Sequence, residues 1–324
     1  MYTLKLTKPM GRTGNTLLCI INAIIFARKN NINKIDFTTL GWWSDQLLPN
    51  GKNELINKLV ISIDNEEIEK KDAANENEKR KNIQSNKPSL SWNIKTNMFE
   101  SWFLGFYIPI GTFEERTEVA KKYIIPIMNI PLPKCTPSSN DLVIHLRSGD
   151  IMNKGHGAYI QPPLSYYIKI IESRKWDKIY IITEHTNNPC LQKLTSSYNN
   201  VISFADNKKE RHGGNGFGFA HDLGYLVNCK NYVACQSSLA PLIIQLNKNI
   251  ENVYIPSYIL KTKGQNTIRE TGIWWTKNLC DKTANFKIDN INYNVLDNNS
   301  YIELPDKIFN YQDPKWKNYL LEWK

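Results

Sequence analysis

Between Asp141 and Pro256 the sequence alternates five times between short apolar runs and helical stretches. DLVIHLR, KIYIITE, VISFA, NYVACQ and NVYIP read as strands. PPLSYYIKIIESRK, a segment from about 189 to 198, GFAHDLGYLVNCK and SSLAPLIIQLNK read as the intervening helices. Successive parallel strands need crossover connections, so this order predicts an open parallel α/β sheet. The first forty residues begin the same way: TLKL as a strand, GRTGNT as a turn punctuated by Gly11 and Gly14, TLLCIINAIIFARKNN as a helix, then KIDFTTL. The helix is apolar at Leu17, Ile20, Ile21, Ile24, Ile25 and Ala27, and ends in basic and Asn residues. That is the start of a βαβ unit and predicts a second α/β half.

The segment PLPKCTPSSND concentrates Pro, Ser and Asn between the halves, which places the domain boundary there: 1–137 and 138–324. Residues 64–88 are charged and nearly free of large apolar side chains, reading as a solvated helix or loop inserted in the first domain. Aromatic and apolar residues return over 92–127, which closes with a predicted helix, TFEERTEVAKKYIIPIM.

Charge excludes little. Lys plus Arg number 41 against 31 Asp plus Glu, a formal net charge of +10, but the lysines are scattered among Asn and Ile. The densest run, Lys79–Lys81, sits among Glu66, Glu67, Glu69, Glu76 and Glu78, so specific nucleic-acid binding is not expected. The Lys/Asn/Ile bias fits a bacterial or virus-encoded source. No apolar run reaches the ~18–20 residues of a membrane span, and the N-terminus lacks a signal peptide's pattern, so a cytoplasmic protein is expected. Six cysteines are widely spaced with no CxxC pair, which argues against a structural zinc site and for reduced thiols; one disulfide stays open.

In open parallel sheets ligands bind at the carboxyl ends of strands, so the residues just after each strand carry the functional question. After DLVI comes His145-Leu146-Arg147-Ser148-Gly149-Asp150. Alternation sends His145 and Arg147 to one side, the glycine allows a turn, and Asp150 is placed to orient the arginine. A guanidinium fixed there suits bidentate grip on a phosphate; the plainer alternative is an Arg–Asp pair bracing the turn. Later, Asp222 lies on a helix that leads into the strand YVAC, and Ser237 and Ser238 separate that strand from the next helix. Hydroxyls and backbone N–H groups at a helix start can hold an anion, or the serine is only an N-cap.

Together these stretches resemble the fucosyltransferase superfamily: an HxRxGD signature at His145–Asp150, and a D-x15-S spacing at Asp222 and Ser238. Gly11-Arg12-Thr13-Gly14-Asn15 is similar to the G-x-L-G-N turn of the α1,2-branch, with Thr13 where an apolar residue is usual. The resemblance implies a GT-B fold, two Rossmann-like domains facing each other across a cleft, with GDP-fucose as donor. It assigns Arg147 to the donor β-phosphate as the catalytic residue, His145 and Asp222 to the guanine end, and Ser238 with Ser237 to phosphate. Gly11, Arg12, Asn15, Gly149, Asp150, Glu184 and His185 are candidates for the same cleft. By analogy with GT-B enzymes, the final helix DPKWKNYLLEWK is expected to return to the first domain.

No Asp-x-Asp motif occurs; Asp289-Asn290-Ile291-Asn292 in the tail is the nearest sequence. Arg147, the serines and helix-end N–H groups would then stabilise the departing pyrophosphate, so neither metal nor cofactor is expected. The reading is transfer of L-fucose from GDP-fucose to a glycan or glycolipid hydroxyl, with inversion. The alternatives are a same-fold transferase using another nucleotide sugar, or a non-catalytic glycan- or nucleotide-binding module. No single general base stands out among Glu184, His185 and Asp206. The glycine-rich stretch Arg211–Gly218 and the loop Asn153–Tyr159 are candidate ligand-covering loops. The tail aromatics Trp274, Trp275, Tyr301, Phe309, Tyr311, Trp316, Tyr319 and Trp323 read first as core and second as sugar platforms.

Overall fold

Residues 17–27 of helix α1 (Thr13–Lys29) are all buried. A helix that is apolar around its whole circumference has to be covered on every side. The polar exception, Asn22, accepts hydrogen bonds at Oδ1 from the buried Arg116 guanidinium and from Ile110 N–H (3.2 Å). Arg116 also donates to Ile110 O at 3.3 Å, which closes the group. Burial pulls the Arg116 guanidinium down to about 10, with Glu115 opposing. At the helix end Asn30 Nδ2 donates to Phe26 O (2.8 Å) and Asn31 takes φ 54°, a left-handed stop that asparagine tolerates.

The structure, a computed structural model, describes residues 2–6, 13–37, 60–62, 76–85, 90–93, 98–101, 110–127, 135–148, 155–156, 161–205, 218–235, 237, 239–256, 258–262, 268–271, 286–288, 290–296, 301–304, 308–309 and 312–322. The chain divides into two units, Met1–Asn129 and Ile130–Lys324, a division lying ahead of the 137/138 boundary expected from sequence.

In the first unit β1 (Tyr2–Leu6), β2 (Ile32–Asp36), β3 (Val60–Ser62), β4 (Leu90–Asn93) and β5 (Met98–Ser101) form one sheet in the order β3-β2-β1-β5-β4. β1 runs parallel to β2 and β5, so the βαβ unit expected of the first forty residues is present. The edge strands β3 and β4 are antiparallel. Helix α2 (Glu76–Ser85) gives the charged segment its solvated form, and Ile83 is its buried residue.

Helix α3 (Phe113–Val119) starts at a Thr112/Glu115 capping box. Just before it, Gly111 sits at φ +79°, and a Cβ there would lie 2.3 Å from Glu115 Oε2. Sequence suggested one helix through residue 128, but the chain widens to a π turn at Ala120–Ile124 and tightens to a 3-10 turn at Ile125–Ile127. Pro126 lacks an N–H, and its ring would meet the carbonyl one turn back in a regular α-helix.

The second unit follows the sequence reading closely. β6 (Leu142–His145), α4 (Leu164–Glu172), β8 (Ile179–Ile182), α5 (Pro189–Ser197), β9 (Val201–Ser203), α6 (Gly218–Leu226), β10 (Asn231–Val233), α7 (Leu239–Leu246) and β11 (Asn252–Pro256) occur in the expected order. β7 (Gly155–His156) pairs with β17 (Ile308–Phe309) as a separate ladder, and β12 (Tyr258–Thr262), β13 (Ile268–Thr271) and β16 (Tyr301–Leu304) form another sheet. The main sheet runs β14-β15-β11-β10-β6-β8-β9, with β14 at Phe286–Ile288 and β15 at Ile291–Leu296. Its pairs are parallel except β14–β15.

β15 adds a sixth parallel strand that sequence did not predict. Of the D-N-I-N stretch weighed as a metal motif, Asn290 (φ 67°) lies between Ile288 and its partner Ile291, Ile291 and Asn292 belong to β15, and Asp289 lies outside the described residues. At the amino end of the sheet an asparagine ladder crosses the strands. Asn292 donates to Asn252 (3.1 Å), Asn252 to Asn231 (2.8 Å), and Asn231 to the carbonyls of Ser139 (2.9 Å) and Asp141 (2.8 Å).

The closing helix α8 (Pro314–Glu322), expected to return to the first domain, instead packs on α4 and α5 in the second unit. Trp316, Tyr319 and Leu320 are buried in the same core cluster as Tyr166, Tyr167, Leu191 and Leu194. The apolar face of that helix is therefore already satisfied within this unit, and these two aromatics are core residues. The five described cysteines are free thiols, and no described helix is long and apolar enough to cross a membrane.

Candidate functional site

Numbered along the chain, the six parallel strands β6, β8, β9, β10, β11 and β15 stand in the spatial order 3-2-1-4-5-6. Strand order reverses between β6 and β10. Connections leave that point in opposite directions, which opens a crevice at the carboxyl ends of the two central strands. The signature residues His145–Ser148 leave β6 there, and Ala234 and Cys235 leave β10 beside them.

Hydrogen bonds tie these exits together. His145 Nδ1 lies 3.3 Å from Cys235 Sγ and 3.5 Å from the Tyr232 hydroxyl. Burial, helped by the Arg147 guanidinium, pulls His145 down to about 3, so the ring is neutral. Burial pushes the Cys235 thiol up to about 12 and the Tyr232 phenol well above its ordinary value. The cluster is uncharged and donates rather than ionises. Sequence reading took Cys235 only as one of six reduced thiols; its place two residues past β10 was the available signal.

Ser148 joins β6 to β8. Its Oγ lies 2.8 Å from Thr183 Oγ1 and accepts the N–H groups of Glu184 (3.0 Å) and His185 (3.1 Å). Glu184 and His185, both exposed, are thereby held beside the signature. Ser148 itself is buried, and the sequence reading gave it no role.

Asp222 is buried on α6, a helix that packs against β6 and β8. Its Oδ1 lies 3.7 Å from His221 Nδ1, and the His221 ring meets Phe204 edge-on at 5.0 Å and Tyr225 at a tilt at 5.2 Å. Ser237 caps α7, accepting Leu239 N–H at Oγ (3.2 Å) and Ala240 N–H at its carbonyl (3.1 Å). A serine hydroxyl that accepts one hydrogen bond keeps its own proton to donate. Asn15 lies on α1. Gly11, Arg12, Gly149, Asp150, Asp206, Ser238 and most of the glycine-rich stretch lie outside the described residues. Among the described residues no group of His, Cys, Asp and Glu is arranged to hold a metal ion.

The neutral His145 has a measurable consequence. In the unfolded chain a histidine takes up its proton near pH 6.5, whereas in the fold this one stays neutral to about 3. Between those values the unfolded state binds the extra proton, so stability is complete above about pH 6.5 and falls as pH drops toward 3. His145→Asn is expected to flatten the stability–pH slope in that window by up to about 1.4 kcal/mol per pH unit, the slope of one proton. Urea unfolding between pH 6.5 and 4.5 measures it, and parallel slopes for the two proteins would contradict the neutral ring.

No known protein-family profile and no curated protein sequence matches the chain. Similar solved structures include POFUT1 in complex with GDP-fucose, at 10% identity and TM-score 0.39, covering 78% of this chain and 97% of that one. The fucosyltransferase NodZ from Bradyrhizobium is similar at 10% identity and TM-score 0.42, covering 84% and 99%. The E. coli heptosyltransferase WaaC with ADP is similar at 11% identity and TM-score 0.36, covering 95% of each chain. These structural neighbours are GT-B glycosyltransferases.

Proposed function

We propose that this chain is a metal-independent glycosyltransferase that moves L-fucose from GDP-fucose to a glycan or glycolipid hydroxyl with inversion. One observation supports it above the rest: His145–Ser148 of the HxRxGD signature leave the central strand at the point where strand order reverses, beside the turn that carries Ser237. Departure of GDP develops negative charge on the β-phosphate while the sugar gains oxocarbenium character. The Arg147 guanidinium is the group to oppose that charge bidentately, with the Ser237 and Ser238 hydroxyls as further donors. His145 and Asp222 would read the guanine, the carboxylate accepting from N1–H and the exocyclic N–H. Gly149, Asp150, Glu184 and His185 are the proposed remainder of the site in the second unit.

A calorimetric panel of GDP, UDP, CMP, dTDP and ADP, each with and without EDTA, tests the donor. Selective GDP binding unchanged by EDTA is expected. Tight UDP or dTDP binding without GDP binding would overturn the fucose donor, and GDP binding abolished by EDTA would overturn metal independence. Turnover of GDP-fucose, lost in Arg147→Ala, separates an enzyme from a binding module.

A further inference from the structure

We propose that Cys235, backed by Tyr232, fixes the tautomer of His145, so that the ring proton sits on Nε2 and the residue presents a hydrogen-bond donor. Cys235 and Tyr232 are fully buried and both reach the same ring nitrogen, Nδ1, at 3.3 and 3.5 Å. A count of donors and acceptors decides the direction. The thiol and the phenol each carry one proton to donate, and His145 Nδ1 is the nitrogen acceptor within reach of both. If Nδ1 carried the proton it would donate to the phenol oxygen or to the sulfur, and the buried S–H and O–H would lose the nitrogen as their acceptor. With Nδ1 bare, its one lone pair faces both donors, the thiol at 3.3 Å being the nearer and the phenol at 3.5 Å sharing it. The neutral state of all three groups, from burial, agrees with this arrangement and excludes a thiolate–imidazolium pair.

The consequence for recognition rests on the function proposed above. A donor at His145 Nε2 complements a base edge that offers acceptors, as guanine does at O6 and N7, and opposes the amino group that adenine carries at C6. With Asp222 accepting from guanine N1–H, one fixed donor and one fixed acceptor select the same base. Cys235 and Tyr232 act through His145 and are positioning residues.

The test is made on the ligand-free protein labelled with nitrogen-15 in its five histidines, with His145 assigned by its disappearance in His145→Asn. Long-range nitrogen–carbon-bound-proton correlation at neutral pH is expected to show Nδ1 unprotonated and Nε2 protonated. Cys235→Ser, which keeps a donor, is expected to retain that pattern. Cys235→Ala with Tyr232→Phe is expected to reduce the tautomer ratio about tenfold, the worth of one ordinary hydrogen bond. Should the double variant not fold, Cys235→Ala alone gives the comparison. A protonated Nδ1 in the unaltered protein, or an unchanged ratio once the donors are gone, would overturn the inference. Because no nucleotide is present, the expected tautomer with no GDP binding would sink the proposed function alone, and GDP binding with the reverse tautomer would sink this inference alone.

Discussion

Under the proposed function, Arg147→Ala is expected to lower GDP-fucose turnover by about 10²–10³-fold, the usual cost of removing a preorganised donor aimed at developing charge. Two features make the effect large. The arginine leaves the central strand at the switch point, where backbone geometry is fixed by pairing with β8 and β10. Its neighbours on the strand exit are neutral: His145 is held uncharged, and Ser148 is engaged with the β8 loop. Arg147→Lys keeps the charge but loses the planar fork, so it is expected to recover only part of the activity. Steady-state kinetics with unchanged circular dichroism checks both. Wild-type turnover in Arg147→Ala would remove the residue from the reaction.

Trp316→Ala is expected to destabilise the protein by about 3–5 kcal/mol. The indole is 1% exposed, edge-on to Tyr319 at 5.6 Å, and buried with residues of α4 and α5. Deleting it leaves a cavity bordered by rigid elements and loosens α8. Trp316→Phe, which refills most of the volume, is expected to lose less. Denaturant unfolding followed by far-ultraviolet circular dichroism measures both, and a loss under about 1 kcal/mol for Trp316→Ala would show that the final helix contributes little to the core.

The parts of this architecture that sequence revealed are those whose pattern is local. The apolar stripe of α1, the β-branched runs of β6 and β8, and the proline starting α5 each carry their own signal. β15 was missed although INYNVL alternates apolar and polar residues as a half-buried strand does; its parallel pairing with β11 and the place of Asn292 in the cross-strand ladder are what sequence does not show. The π turn at Ala120–Ile124 was hidden because helical periodicity continues through it. At the site, the spacing of HxRxGD was visible, whereas the partners of its members were not. Cys235 lies ninety positions after His145, and Ser148 meets Glu184 across thirty-six. Such contacts are created by sheet topology, and no window of sequence contains them.

The docking of α8 also bears on how the protein is made. Cys190 Sγ approaches Leu320 O across 130 residues of chain. At the usual pace of translation that interval takes on the order of 10 s. Throughout it, the surface of α4 and α5 that later receives Trp316 and Leu320 stays uncovered on a growing chain. The first unit, whose described strands all precede residue 102, can settle well before then. During synthesis the second unit is therefore the half with the longer exposure to chaperones and to aggregation, and its core closes only when residues 314–322 have been made.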